Sequence, residues 1–294
     1  MIGLFRWFWL LPMFAMLSSI DALAAETASE PPRRVVSMNL CTDQLALLVA
    51  APGQLVSVSH WAQTPTASMM VEEARALPAN YGRAEEIFRL KPDLVLAGMF
   101  TSANTVAMLE RLGIEVAQFD AERSMADVRS NLRRVGALLG QQDRAEAAVA
   151  AFDLDLRRLE GRAAKLDRRE AAYHYPNNYT SGSGTLAADV MNRAALDNAA
   201  QALGLSGAAR LDLETLVLSA PYIIRTRHIG EVERGRSFET AAHPALKSLI
   251  DTAGGTTLEG RWQICGTPFV LRAIEALLAA REAEGAAGEA SPAD

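Results

Sequence analysis

Residues 84–98 read AEEIFRLKPDLVLAG, and this stretch decides the fold. Its first half opens with two glutamates, carries apolar residues at helical spacing and stops at Lys91-Pro92, where proline removes a backbone donor and crowds the preceding turn. Its second half, Leu94-Val95-Leu96-Ala97, is apolar at consecutive positions, the pattern of a strand covered on both faces in a parallel sheet. Working outward, the runs at 34–38, 55–59 and 115–119 have the same Val- and Leu-rich character, and helical runs at 42–49 and 103–112 separate them. Strand and helix in alternation predict a doubly wound α/β lobe over 33–121.

From 122 to 169 the alternation gives way to a long Ala- and Arg-rich helical stretch, read as a single helix connecting two lobes. Strands at 171–175 and 222–225, with helices at 186–193, 213–218, 241–252 and 268–280, then predict a second α/β lobe over 170–280. A chain of 294 residues that is 50% hydrophobic is large for a single core, which agrees with two. The Ala-, Glu- and Gly-rich residues 281–294 are expected to be disordered.

The amino terminus sets the compartment. Arg6 precedes a nearly unbroken apolar run over 7–20, and Ala22-Leu23-Ala24 supplies a small-x-small cleavage site. The run is shorter than the ~20 apolar residues of a spanning helix and is broken by Pro12 and Ser18-Ser19. Residues 1–24 are therefore read as a cleaved signal peptide, and the mature protein as soluble in a periplasm. The nearest cysteine, Cys41, lies too far downstream for a lipid anchor. A net charge of −6 spread along the chain offers no basic stripe, which sets nucleic acid aside as a partner.

The segments RVVSMNLCTDQLALL (34–48), LVSVSHWAQTP (55–65), AEEIFRLKPDLVLAG (84–98), YTSGSGT (179–185) and LETLVLSAPYII (213–224) occur in this order. Together they resemble the periplasmic binding proteins for cobalamin, ferric siderophores and haem, over roughly residues 33–280. The resemblance implies two Rossmann-like lobes joined by one long helix, the class III arrangement. It also implies a monomer that binds a small-molecule metal chelate between the lobes and delivers it to an ABC transporter permease, with no cofactor and no catalysis.

In an open α/β sheet the ligand lies beyond the carboxyl ends of the strands. That rule selects Asn39 and Cys41, His60 and Trp61, Arg227 and His228, and Arg261, Trp262 and Cys265. The resemblance places Trp61 and Tyr179 among the aromatic residues lining the ligand site. Aromatic faces give large contact area at little entropic loss, and guanidinium groups pair with the carboxylates of a chelate. The glycine-rich run 180–185 lacks the lysine of a phosphate loop and is read as a tight strand-to-helix turn. Cys41 and Cys265 are an even pair in an exported chain, which permits a disulfide across the lobes or two cleft thiols. Glu85 and Glu214 each open a helix, as first-turn carboxylates do; the resemblance assigns them to permease docking, with Glu86 as the substitute for Glu85.

Two other classes compete. A free zinc or manganese binder needs three or four convergent ligands, for which His60, His174, His228 and the cysteines are the candidates. An exported hydrolase needs a nucleophile with His and Asp partners, and the sequence contains neither a G-x-S-x-G elbow nor H-E-x-x-H.

Overall fold

The computed structural model describes residues 30–219, 221–227 and 243–289. The first lobe runs β1 (Val35–Ser37), α1 (Leu40–Val49), β2 (Leu55–Ser59), α2 (Val71–Arg75), β3 (Ala79–Asn80), α3 (Ala84–Arg89), β4 (Leu94–Gly98), α4 (Ala103–Arg111), β5 (Glu115–Phe119), α5 (Met125–Leu139). After α6 (Gln142–Ala163) come β6 (Arg169–His174), β7 (Tyr179–Ser181), α7 (Leu186–Arg193), β8 (Leu196–Asn198), α8 (Ala199–Ala202), β9 (Ala208–Arg210) and α9 (Leu213–Ser219). The second lobe is completed by β10 (Tyr222–Arg227), α10 (Pro244–Ala253), β11 (Gly255–Glu259) and α11 (Leu271–Glu289).

The first sheet is parallel with strand order β3-β2-β1-β4-β5. Every residue of β4 is buried, as the apolar run 94–97 requires of a strand covered by helices on both faces. The second sheet is also parallel, ordered β11-β10-β6-β8, and β7 and β9 form a separate antiparallel pair. Each parallel sheet reverses its strand order once, between β1 and β4 in the first and between β6 and β10 in the second. These reversals open crevices at the carboxyl edges.

The expected single helix over 122–169 is two helices. Gly140 closes α5 in the left-handed conformation (φ 65°), and α6 folds back antiparallel on α5. The return is close: a Cβ on Gly136 would stand 2.4 Å from that of Ala145. Arg133 to Glu146 (2.7 Å) and Arg129 to Asp153 link the pair. An Ala- and Arg-rich pattern continues on both sides of this reversal, so composition alone hides it. α6 then connects the lobes. Its 22 residues extend ~33 Å, and its stripe Ala145, Val149, Phe152, Leu156 and Leu159 is buried. It packs on α1 in the first lobe and on α7 and α11 in the second.

Of the tail expected to be disordered, residues 281–289 depart from expectation. α11 continues to Glu289, built from strong helix formers. It is pinned by Arg162 to Glu282 (2.7 Å), Arg169 to Glu284 (3.1 Å) and Arg281 Nη1 donating to the Ala195 carbonyl (2.8 Å). Residues 290–294, the signal peptide assigned to 1–24, and His228 lie outside the described residues. Among the described residues no helix is long and apolar enough to cross a membrane.

Candidate ligand-binding site

At the reversal between β1 and β4 lies a cavity of about 310 Å³, lined by the segments that follow β1, β4 and β5 and by Ile264 of the second lobe. The volume falls at the lower end of the ~300–1,000 Å³ range of small-molecule sites. Asn39 begins one wall because its side chain caps α1, accepting from the Cys41 amide at 2.9 Å. Met99 (52% exposed) and Phe100 (82%) line the same cavity and present large apolar side chains to solvent, as does Ile264 (43%) of the second lobe. Contiguous exposed apolar side chains are the kind of surface that interaction sites present.

The lobes are tied beside this cavity. Cys41 and Cys265 form a disulfide with Cα atoms 5.1 Å apart, which decides between the two readings of the pair. Glu122 Oε2 accepts from the Gly266 amide at 3.1 Å, and Oε1 accepts from Asn131 Nδ2 at 2.8 Å. Burial pushes the Glu122 carboxyl above its ordinary range, against these hydrogen bonds, which pull it down. A Cβ at position 266 would approach the Glu122 side chain to 2.2 Å, so only glycine permits this contact. Arg261 Nη1 donates to the Pro65 carbonyl at 3.1 Å, a third contact between the lobes.

Along the same edge, beyond β2 and β3, three rings cluster. His60 lies 4.7 Å from Trp61 and stacks on Tyr81 at 4.8 Å. Trp61 is 48% exposed and Tyr81 65%. Sequence reading missed Tyr81; its signal was its place directly after a two-residue strand too short to recognise. Beneath them Asp43 is fully buried and accepts from the Ser59 amide (3.1 Å) and hydroxyl, fixing the residue that precedes His60. Burial raises the Asp43 carboxyl to about 6.

The remaining site residues divide. Tyr179 is exposed with Arg210 5.8 Å from its ring centre. Arg227 pairs with Glu259 at 3.2 Å at the carboxyl ends of β10 and β11. Trp262, expected at the ligand, is partly buried against the main hydrophobic core, because the short turn at Gly260–Trp262 directs the ring inward. Arg261, expected to hold a carboxylate, bridges the lobes instead. Glu85 and Glu214 are exposed at the starts of α3 and α9, whereas Glu86 accepts from the Tyr81 amide at 2.8 Å and ties the start of α3 to the turn after β3. Among the described residues no group of three or more His, Cys, Asp and Glu converges to hold a metal ion. A further concavity of about 500 Å³ lies at the opposite, amino-terminal edge of the second sheet. Its charges are used internally, with Arg193 paired to Glu160 and Asp189.

Residues 35–253 match the model of a periplasmic binding protein family. An uncharacterized ABC transporter substrate-binding lipoprotein of Bacillus subtilis, YvrC, is 25% identical over 59% of this chain and 57% of its own length. A cobalamin-binding protein of Halobacterium salinarum is 29% identical over 69% of this chain and 56% of its own. The chain thus spans somewhat over half the length of these relatives. Among solved structures, a periplasmic heme-binding protein of Pseudomonas aeruginosa superposes with a TM-score of 0.68 at 24% identity, over 85% of this chain and 92% of the other. The periplasmic vitamin B12 binding protein BtuF of Vibrio cholerae superposes with 0.65 at 18%, over 87% and 98%. At these identities the superpositions speak for the fold.

Proposed function

This chain belongs to the periplasmic binding protein family, and from that premise we propose that it is the substrate-binding component of an ABC importer for a metal chelate of the siderophore, haem or cobalamin type. The observation that carries this reading is the apolar cavity at the strand-order reversal of the first sheet, walled by side chains of both lobes. A chelate entering it covers Met99, Phe100 and Ile264, and the rings of Trp61 and Tyr81 extend the same edge. Nothing is transformed; the protein captures, retains and hands over. Recognition is largely preformed, because α6, the disulfide and the Glu122 and Arg261 contacts restrain the lobes. On this reading the protein is exported, acts as a monomer, and presents Glu85 and Glu214 to the permease.

Native mass spectrometry of the protein purified from its own periplasm tests the proposal directly. A chelate retained at one per chain, and uptake of that chelate by reconstituted transporter only when the protein is added, are the expected results. Purification without a chelate, together with no chelate-dependent uptake, sinks it.

A further inference from the structure

The charges around the seam discriminate among chelates. The 310 Å³ cavity is bordered by two carboxylates, Asp120 and Glu122, and by no lysine or arginine. A neighbouring cavity of about 420 Å³ shares Met99 and Asp120–Glu122 with it and adds Asp127 against Arg123 and Arg134. Acids outnumber cations there as well, and Arg134 lies over the Phe119 ring at 4.3 Å. Of the arginines at the carboxyl edge, Arg227 pairs with Glu259, Arg261 Nη1 donates to the Pro65 carbonyl and Arg210 lies 5.8 Å from the Tyr179 ring centre, and none of them lines this cavity.

Resting on the chelate-binding reading above, we propose that this site takes a chelate whose rim is uncharged, edged by amides or hydroxamates, and rejects chelates edged by carboxylates or catecholates. A carboxylate brought against the apolar wall would face the like charge of Asp120 at the cavity rim. It would meet no guanidinium among the residues that line the 310 Å³ cavity. An amide or neutral oxygen edge meets no such opposition. Discrimination then comes from a repulsive element as much as from contact area.

Equilibrium titration of the oxidised mature chain with four probes tests this: cyanocobalamin, a neutral ferric trihydroxamate, hemin and a ferric tricatecholate. At least one of the first two is expected to bind a hundredfold or more tighter than either of the last two. Asp120→Lys is expected to narrow that gap at least tenfold, with an unchanged thermal midpoint, since Asp120 is exposed. Hemin or the tricatecholate binding as tightly as the neutral probes overturns the proposal, as does a gap that Asp120→Lys leaves unmoved. Binding of none of the four overturns the chelate-binding reading itself, which separates the two failures.

Discussion

Cys41 and Cys265 are bonded across 224 residues, joining the amino end of α1 to the segment that leads into α11 beside the ligand cavity. Linking positions so distant in sequence constrains the unfolded chain strongly, by about 2–5 kcal/mol. Replacing both cysteines by serine is expected to lower unfolding free energy by that amount. Denaturant melts with and without reductant supply the check: the parent should weaken in reductant, and the double-serine variant should not respond.

The aromatic cluster is exposed, so its loss should affect binding before folding. Trp61→Ala and Tyr81→Ala are each expected to weaken chelate affinity by ~1–3 kcal/mol, with thermal midpoints nearly unchanged. A variant that melts early and binds normally at low temperature would assign its ring to packing.

Asp43 makes stability depend on pH. Its folded value of about 6 lies above the ordinary 3.8, so the folded state favours the protonated acid. Its contribution to stability is complete below about 3.8 and is lost as pH rises through about 6. The difference corresponds to roughly 3 kcal/mol. Asp43→Asn should therefore be more stable than the parent at pH 7.5, with the two converging near pH 4, as read from denaturant midpoints across that range.

Glu85 and Glu214 test delivery separately from capture. Replacing both by alanine should leave chelate affinity intact and reduce transporter-dependent uptake, and lysine at both should reduce it further through like-charge opposition. Because Glu86 is held by the Tyr81 amide, Glu86→Ala should lower stability more than Glu85→Ala does. Equal uptake by the double-alanine protein removes the docking role.

Gly266→Ala should cost about 1–3 kcal/mol, since the added carbon collides with Glu122 and something must shift. Pairing it with Glu122→Ala should recover part of that loss, a coupling that calorimetry can resolve.

Much of the first lobe was legible because β1 and β4, buried throughout, are rich in Val and Leu, and β2 and β5 still carry several Val, Leu and Phe residues. β3 has two residues and β8 and β9 have three each, too short for any periodicity to register. The α5–α6 reversal was hidden because Ala- and Arg-rich helical sequence continues through it and only the glycines mark the turn. At the site, chain position after a strand leads to Asn39, Cys41 and His60 at the carboxyl edge. It does not tell that Trp262 packs against the main core or that Arg261 reaches the Pro65 carbonyl, because the direction of a side chain within a short turn is set by packing across the seam. Met99 and Phe100, exposed and lining the cavity, were not singled out, since nothing local distinguishes them from core.

The cysteine bond also bears on how the protein is made. The chain contains two cysteines in all, so oxidation has no wrong partner within one molecule. Cys41 leaves the ribosome 224 residues ahead of Cys265, and the first thiol stays unpaired over that interval. During that interval its accessible partners are the thiols of other nascent chains, so crowded overproduction in an oxidising compartment should yield covalent dimers through Cys41. Slower secretion should give the monomer.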